Sequence, residues 1–201
     1  MKFVNYLLVL GIVSLLFGQP KDIVSTKTAY LISKHKYEIG LFQPLRVKIS
    51  DKMEISTHPL IFFVSPNLQM KTFVAQWNNF QIASEHNLYY PTPLLKMISR
   101  EGTGGIIAAE FKDDFPHMFS FYNGLLASQT FAGKYILSYK VGFKFAVNSG
   151  DLDYRTSIDL PIIYQRLQVF YDNYGLQYGA SFTGPLYKTI YYETAFELFQ
   201  F

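Results

Sequence analysis

From Lys134 to Asn148 the chain alternates without a break. Tyr135, Leu137, Tyr139, Val141, Phe143, Phe145 and Val147 hold the odd positions; Lys134, Ile136, Ser138, Lys140, Gly142, Lys144, Ala146 and Asn148 hold the even ones. Successive side chains of a strand point to opposite faces, so this run has one apolar, aromatic face and one that is mostly polar or small. Fifteen residues of period two exceed the strand of about 5–6 residues usual in globular proteins and cover the roughly 9–11 needed to cross a bilayer. Lys36–Ser50 behaves alike, with Tyr37, Ile39, Leu41, Leu45, Val47 and Ile49 on one side, broken by Gln43, and Glu38, Gly40, Arg46, Lys48 and Ser50 on the other, with Phe42 and Pro44 as exceptions. In Phe170–Phe182 the even face carries Phe170, Tyr174, Leu176, Tyr178, Ala180 and Phe182, interrupted by Asp172, opposite Tyr171, Asn173, Gly175, Gln177, Gly179 and Ser181.

Turn residues at Ser50-Asp51-Lys52, Ser65-Pro66-Asn67, Gly150-Asp151 and Gly184-Pro185 fall between such runs. Keeping apolar faces together in the first hairpin pairs Ile49 with Met53 and Val47 with Ile55, which predicts a three-residue loop at 50–52. The pattern predicts ten strands, over 36–49, 53–65, 68–77, 81–90, 103–112, 117–128, 134–147, 154–164, 168–182 and 187–201. Omitting 103–112 leaves nine. An even count, which keeps both termini of a single-chain barrel on one side, then calls for a strand near 27–33.

The N-terminus reads differently. Met1-Lys2 is a short positive start, Phe3–Phe17 an apolar run, and Gly18-Gln19-Pro20 its end. This is the form of a secretory signal peptide, too short for a spanning helix of about 20 residues. Cleavage is expected after Gly18, leaving an N-terminal segment at 19–35 and one domain at 36–201.

Composition narrows the class. The chain of 201 residues has 19 Phe and 16 Tyr but one Trp, and only 16% charged residues, against about a quarter in soluble domains. With that much apolar surface and no second run of spanning-helix length, a membrane location requires a closed barrel, since lipid leaves no backbone group to water. The chain contains no cysteine, which excludes disulfide staples and a lipid-modified cysteine. The net charge of +3, with its charges interspersed, forms no basic stripe for nucleic acid.

The last residues, Tyr187–Phe201, end Phe199-Gln200-Phe201. A terminal phenylalanine on an alternating aromatic strand resembles the final strand of outer-membrane β-barrel proteins. That resemblance implies recognition of Phe199 and Phe201 by the barrel-assembly machinery. Glu193 and Glu197 fall on the face expected to be apolar, while Ile190, Tyr192, Phe196 and Leu198 lie opposite; a bulge near Leu198 would reconcile the two. The chain also looks similar to uncharacterised outer-membrane proteins of Bacteroidota-like bacteria. The fold implied is a closed antiparallel up-and-down transmembrane β-barrel of about 10 strands, with 8 to 12 admissible, and outer-membrane lipid as surroundings. The segment at 19–35 is then periplasmic.

Three groups could carry chemistry. Glu54, Ser56 and His58 share the lumen-side parity of one strand, a carboxylate, hydroxyl and imidazole at spacings suited to nucleophilic catalysis. Outer-membrane lipid hydrolases place His before Ser, the reverse of the order here. Packing of the barrel interior is the competing reading. Asp151, Asp153 and Asp159 sit around an expected outer loop where carboxylates can bind calcium, against a plain solvated turn. Gly102-Thr103-Gly104-Gly105 lacks the lysine of a phosphate loop, and His86 beside Glu85 has no evident partner. The lumen-facing charges Glu38, Arg46, Lys48, Glu54, His58, Lys140 and Lys144 have mixed signs, so they are expected to pair across a narrow, filled interior. No cofactor is expected. The leading expectation is a non-enzymatic outer-membrane barrel with a structural, binding or narrow-transport role. Its rivals are a membrane-embedded lipid hydrolase using Ser56 and His58, and a soluble exported β-sandwich or lipid-binding cup with its aromatic faces turned inward.

Overall fold

The computed structural model describes residues 14–17, 26–32, 37–39, 44–99, 107, 109–111, 115–152, 168–187 and 190–200. The expected strand at 154–164 and the motif at 102–105 lie outside them, as do Asp153, Asp159 and Phe201. The fold is all-β. Its strands are β1 (Ser14–Phe17), β2 (Tyr37–Glu38), β3 (Leu45–Ser50), β4 (Met53–Thr57), β5 (Asn67–Trp77), β6 (Phe80–Tyr89), β7 (Met118–Phe131), β8 (Tyr135–Asn148), β9 (Tyr174–Tyr187) and β10 (Ile190–Gln200). They form one sheet in the order β1-β10-β9-β8-β7-β6-β5-β4-β3-β2. Chain neighbours from β2 to β10 are antiparallel and adjacent, an up-and-down meander.

The long alternating runs become the long strands. β7 and β8 pair in unbroken register from Met118↔Asn148 to Phe131↔Tyr135. Tyr139, Val141 and Phe143 are 49%, 48% and 42% exposed, while Ser138 beside them is buried. The aromatic face of this strand is therefore the exposed one. Rings gather toward both ends of this outer face. Tyr90 stacks on Phe119 at 4.6 Å and Phe121 on Phe145 at 5.0 Å near one end; near the other Phe182 lies 5.8 Å from Tyr135 and 5.9 Å from Tyr192.

Several expected elements take another form. The single strand at 36–49 is two, since Tyr37 pairs with Val47 and Glu38 with Arg46. In the next hairpin Val47↔Ile55 forms as expected, but Ser50 rather than Ile49 faces Met53. Ile49 is a bulge before a two-residue turn at Asp51-Lys52. The strand at 53–65 stops at Thr57 because His58-Pro59 starts helix α1 (Pro59–Phe62), proline being preset for a first helical turn. Where a strand was expected at 103–112, Ala109–Phe111 forms a 3-10 turn, preceded by helix α2 (Thr92–Ile98). Helix α3 (Val169–Asp172) replaces the start of the 168–182 strand. Residues 26–32 form no strand. The only register shift of β10 against β9 lies between Ile190 and Tyr191, so no bulge occurs near Leu198.

The two ends of the sheet differ. Short turns at 51–52, 78–79 and 132–134 join strands at one end; in the third, Ala132 and Gly133 take positive φ of 47° and 64°, a conformation glycine adopts without strain. Connections 58–66, 90–117 and 149–173 lie at the other end, where β10 also finishes. There Leu95, Ile107, Phe111, Phe115, Val169 and Phe170 pack on Met118 and Ala146, an apolar cap over the inner face.

Gly124 faces Gly142 across β7 and β8, and a Cβ on either would overlap the Tyr122 ring. This leaves Tyr122 room to lie flat along the inner face with the Lys140 ammonium 4.3 Å from its centroid. Gly142→Ala should therefore destabilise the fold by about 1–3 kcal/mol, the range for overpacking. Urea unfolding of the purified protein measures this, and adding Tyr122→Ala should recover part of the loss. Equal loss in the single and double variants would sink the steric explanation.

Candidate functional site

The inner face is polar, and a stretch of chain occupies it. Seven residues, 26–32, cross the concavity and bond to strands from β4 to β10. The Lys71 ammonium donates to the Thr26 carbonyl at 3.0 Å, and the Ser181 hydroxyl to the Lys27 carbonyl at 3.5 Å. The Lys27 ammonium lies 3.6 Å from Glu193. The Ala29 N–H donates to Ser128 Oγ at 2.7 Å, and its carbonyl accepts from Gln81 at 3.0 Å. The Ile32 N–H donates to Glu54 Oε2 at 2.9 Å. Thr28, Ala29 and Ile32 are buried, and Ala29 packs with Ala83 and Leu126.

This arrangement fixes the curvature. On a flat sheet β5 and β9 stand four strand spacings apart, about 19 Å. Yet consecutive carbonyls, those of Thr26 and Lys27, are bonded by Lys71 of β5 and Ser181 of β9. A lysine side chain reaches only part of that distance, so the sheet curls around the segment.

Glu54 is the junction of the network. Its carboxylate receives Arg46 Nη2 at 2.7 and 2.9 Å and Arg46 Nε at 3.3 Å. Lys71 Nζ lies 3.4 Å from it, and the Ile32 N–H completes the set. Arg46 also reaches Glu38 at 3.1 Å. A second group joins Glu85 to Lys140 at 3.1 Å and to Asn87 at 2.7 Å, and Gln177 donates to Glu197 at 3.2 Å. Arg46, Glu54, Lys71 and Glu85 are all at least 97% shielded, the largest residual exposure being 3%. Buried charges persist only when paired and hydrogen-bonded, and here each is.

The lumen charges thus pair as expected in sign, though Arg46–Glu54 and Lys71–Glu54 join neighbouring strands rather than opposite walls. Lys48 turns to Asp51 at 2.8 Å, in the turn. Of the candidates Glu54, Ser56 and His58, the first two share the inner face of β4 and the third follows its end. Glu54 is committed to Arg46 and Lys71, and the Ser56 hydroxyl donates to Gln69 at 3.3 Å. His58 lies past the end of β4, where its backbone N–H donates to Asn67 at 2.9 Å. Asp151 is exposed, and among the described residues no three His, Cys, Asp or Glu groups gather as a metal site. His86 and Glu85 occupy opposite faces: Glu85 points inward, and His86 Nδ1 meets Asn123 Oδ1 on the outside at 2.8 Å. Phe199 faces inward and is buried, with Glu193, while Tyr192, Phe196 and Leu198 have the outward parity. Lys71, Glu85, Gln81 and Ser128 were not singled out in the sequence. Each has the inward parity of an alternating run, the one signal that could have found them.

Comparison with protein-family models, with characterised proteins and with solved structures finds no match for this chain.

Removing the junction tests the network. Glu54→Gln leaves Lys71 without its nearest carboxylate and weakens the hold on Arg46 and Ile32. Stability should fall by about 3–5 kcal/mol, as for a broken buried pair. Amide exchange over residues 26–32 should rise more than exchange in β7 and β8. Unchanged exchange of that segment would show that Glu54 does not hold it.

Proposed function

We propose that this protein is a closed up-and-down β-barrel of a bacterial outer membrane, antiparallel except at its closing pair, with its lumen filled by its own residues 26–32 and a structural or binding role rather than a catalytic one. The observation that carries this reading is the inversion of the usual burial pattern. Aliphatic and aromatic side chains such as Leu68, Val74, Leu125, Tyr139 and Val141 are exposed along the outer face, while ions and hydroxyls are buried within. A soluble domain rarely presents an apolar surface of that extent to water, whereas lipid-out and polar-in alternation with aromatic girdles is the pattern of membrane barrels. No helix among the described residues is long and apolar enough to cross a membrane, a fact with no bearing on strands. The commitment of Glu54 and Ser56 to other partners favours a non-enzymatic role.

Closure is part of the proposal. β1 lies inside the apolar leader and covers the edge of β10, pairing Ser14 with Glu193 through Phe17 with Ile190. Cleavage after Gly18 uncovers that edge. Unpaired backbone groups in hydrocarbon cost several kcal/mol each, so the freed edge is satisfied by the other free edge of the sheet, at β2; because the strands alternate in direction from β2 to β10, that one closing pair is parallel. The barrel-assembly machinery is the partner in that step, and outer-membrane lipid surrounds the product. With the end of β10 in the periplasm, as the resemblance of the terminal aromatics implies, the 149–173 connection with Asp151 is periplasmic as well, not an outer loop.

Three measurements test this. Intact mass of exported protein should lack residues 1–18. Val141→Arg should cost about 2–4 kcal/mol and reduce the amount recovered in outer membranes, while Val141→Leu should be neutral; equal recovery of Val141→Arg would support a soluble protein. An epitope inserted at Gly133 should be labelled on intact cells and one at Gly150 should not. The reverse result would place the long connections at the cell surface.

A further inference from the structure

On β8 and β9 the outward positions from Tyr135 to Val147 and from Tyr174 to Phe182 carry only aliphatic and aromatic side chains. The outer face departs from this rule on β6 and β7. There His86 and Asn123 pair across the two strands, and His86 Nδ1 bonds Asn123 Oδ1 at 2.8 Å. Their row continues to Met70 on β5 and Phe143 on β8. The outward pair Leu88 and Phe121 flanks it on one side, and Ser84 and Leu125 on the other. Asn123 stands five residues from Met118 and eight from Phe131, the two ends of β7, which is about 16 and 26 Å along the strand. In the barrel proposed above, whose apolar band is about 25 Å tall, the pair falls within hydrocarbon rather than among headgroups.

The bond between the two side chains leaves a defined remainder. The Asn123 carbonyl oxygen can only accept, so His86 Nδ1 carries the proton, and in the uncharged ring Nε2 is then an acceptor. The Asn123 amide nitrogen keeps its N–H donors. Among the described residues neither group has a partner, Asn123 is exposed and His86 half-buried, and hydrocarbon supplies no partner either. One acceptor beside one donor is a self-complementary set. A two-fold axis along the bilayer normal, passing between the two side chains, sets His86 of one copy opposite Asn123 of another and the reverse. Both bonds then form together and the contact closes on itself. Leu88, Phe121 and Leu125 supply apolar contact around the bonds, and Ser84 is small enough to let the copies approach. Apolar surface alone gives chains in lipid no reason to associate, so polar groups that find partners there decide where they meet, as between membrane helices. We infer that the outer face of β6 and β7, centred on His86 and Asn123, is the interface of a symmetric dimer of this chain in the membrane. The inference rests on the lipid-facing outer surface proposed above.

The chain has no cysteine, so one introduced thiol reports one position. Ser84→Cys, inside the dimer face, and Tyr178→Cys, on β9 outside it, are compared by oxidative cross-linking in isolated outer membranes. Linked dimers should form with Ser84→Cys and not with Tyr178→Cys. Sedimentation of the full chain in detergent micelles should show a dimer. His86→Leu and Asn123→Leu should each raise its dissociation constant about tenfold or more, since each removes both symmetric bonds. The double variant His86→Leu/Asn123→Leu leaves neither polar group behind in lipid, so it carries the test where a single variant fails to fold, and it should dissociate as well. A chain recovered in outer membranes that cross-links at neither position would overturn the inference and leave the barrel reading standing. A chain absent from outer membranes would overturn both. Cross-linking of Tyr178→Cys as strong as that of Ser84→Cys, or a double variant as tightly dimeric as the wild type, would overturn the inference by putting the contact elsewhere.

Discussion

A charge moved out of water must find its counter-charge and hydrogen bonds where it comes to rest. In this protein the buried Glu54 carboxylate meets that demand with Arg46 from β3, Lys71 from β5 and the Ile32 N–H from the crossing segment. The three arrive from different parts of the chain and converge only when the first hairpin is in register and the sheet has curled. Glu54 thereby ties strand register, sheet curvature and the course of residues 26–32 into one condition. The same demand is met again at Glu85, where Lys140 and Asn87 converge. Apolar packing does comparatively little inside the concavity, where the cluster touching the segment is Ala29, Ala83 and Leu126. The larger apolar cluster belongs to the connections at one end.

The layering that results is the reverse of a soluble β-protein. Ion pairs, amides and hydroxyls occupy the inside, and rings and branched aliphatic chains occupy the outside. The small inner residues have a spatial purpose as well. Gly124 and Gly142 let the Tyr122 ring lie along the wall, which brings Lys140 over its face. The pairing Lys140–Glu85 then neutralises the wall on that side.

The facing of β7, β8 and β9 was legible from residues such as Tyr139, Val141 and Tyr178 because alternation reports facing directly. It reports connectivity poorly. In an antiparallel pair such as Glu38↔Arg46 the partners have the same parity, so a straight strand and a hairpin leave the same apolar pattern. That is why 36–49 read as one strand. The loss of β4 after Thr57 was written locally, in His58-Pro59, but the preceding alternation outweighed it. Facing also placed Glu54 and Ser56 correctly on the inside. What alternation could not supply was their neighbours, since Glu54 meets Ile32 and Ser56 meets Gln69 through tertiary structure. The β10 acids Glu193 and Glu197 looked misplaced for a lipid-facing strand, and the inward parity of Phe199 resolves the mismatch without any bulge.

The path of residues 26–32 also bears on how the molecule is assembled in time. Hairpins such as β7–β8 can zip from a tight turn, since each new pair closes a short loop, and such steps take microseconds. The bonds from Ala29 to Ser128 and from Lys27 to Ser181 span 99 and 154 residues, so their loop-closure entropy is high and they come late. A peptide already enclosed by strands cannot be inserted sideways, and threading one through a finished ring is a path that folding chains avoid. For the closed form proposed above, the meander would therefore have to bend while its two outermost strands are still apart, with the early chain lying in the trough. In that closed form, enclosure would follow the hairpins, and the slowest step would be the meeting of the two edges of the sheet.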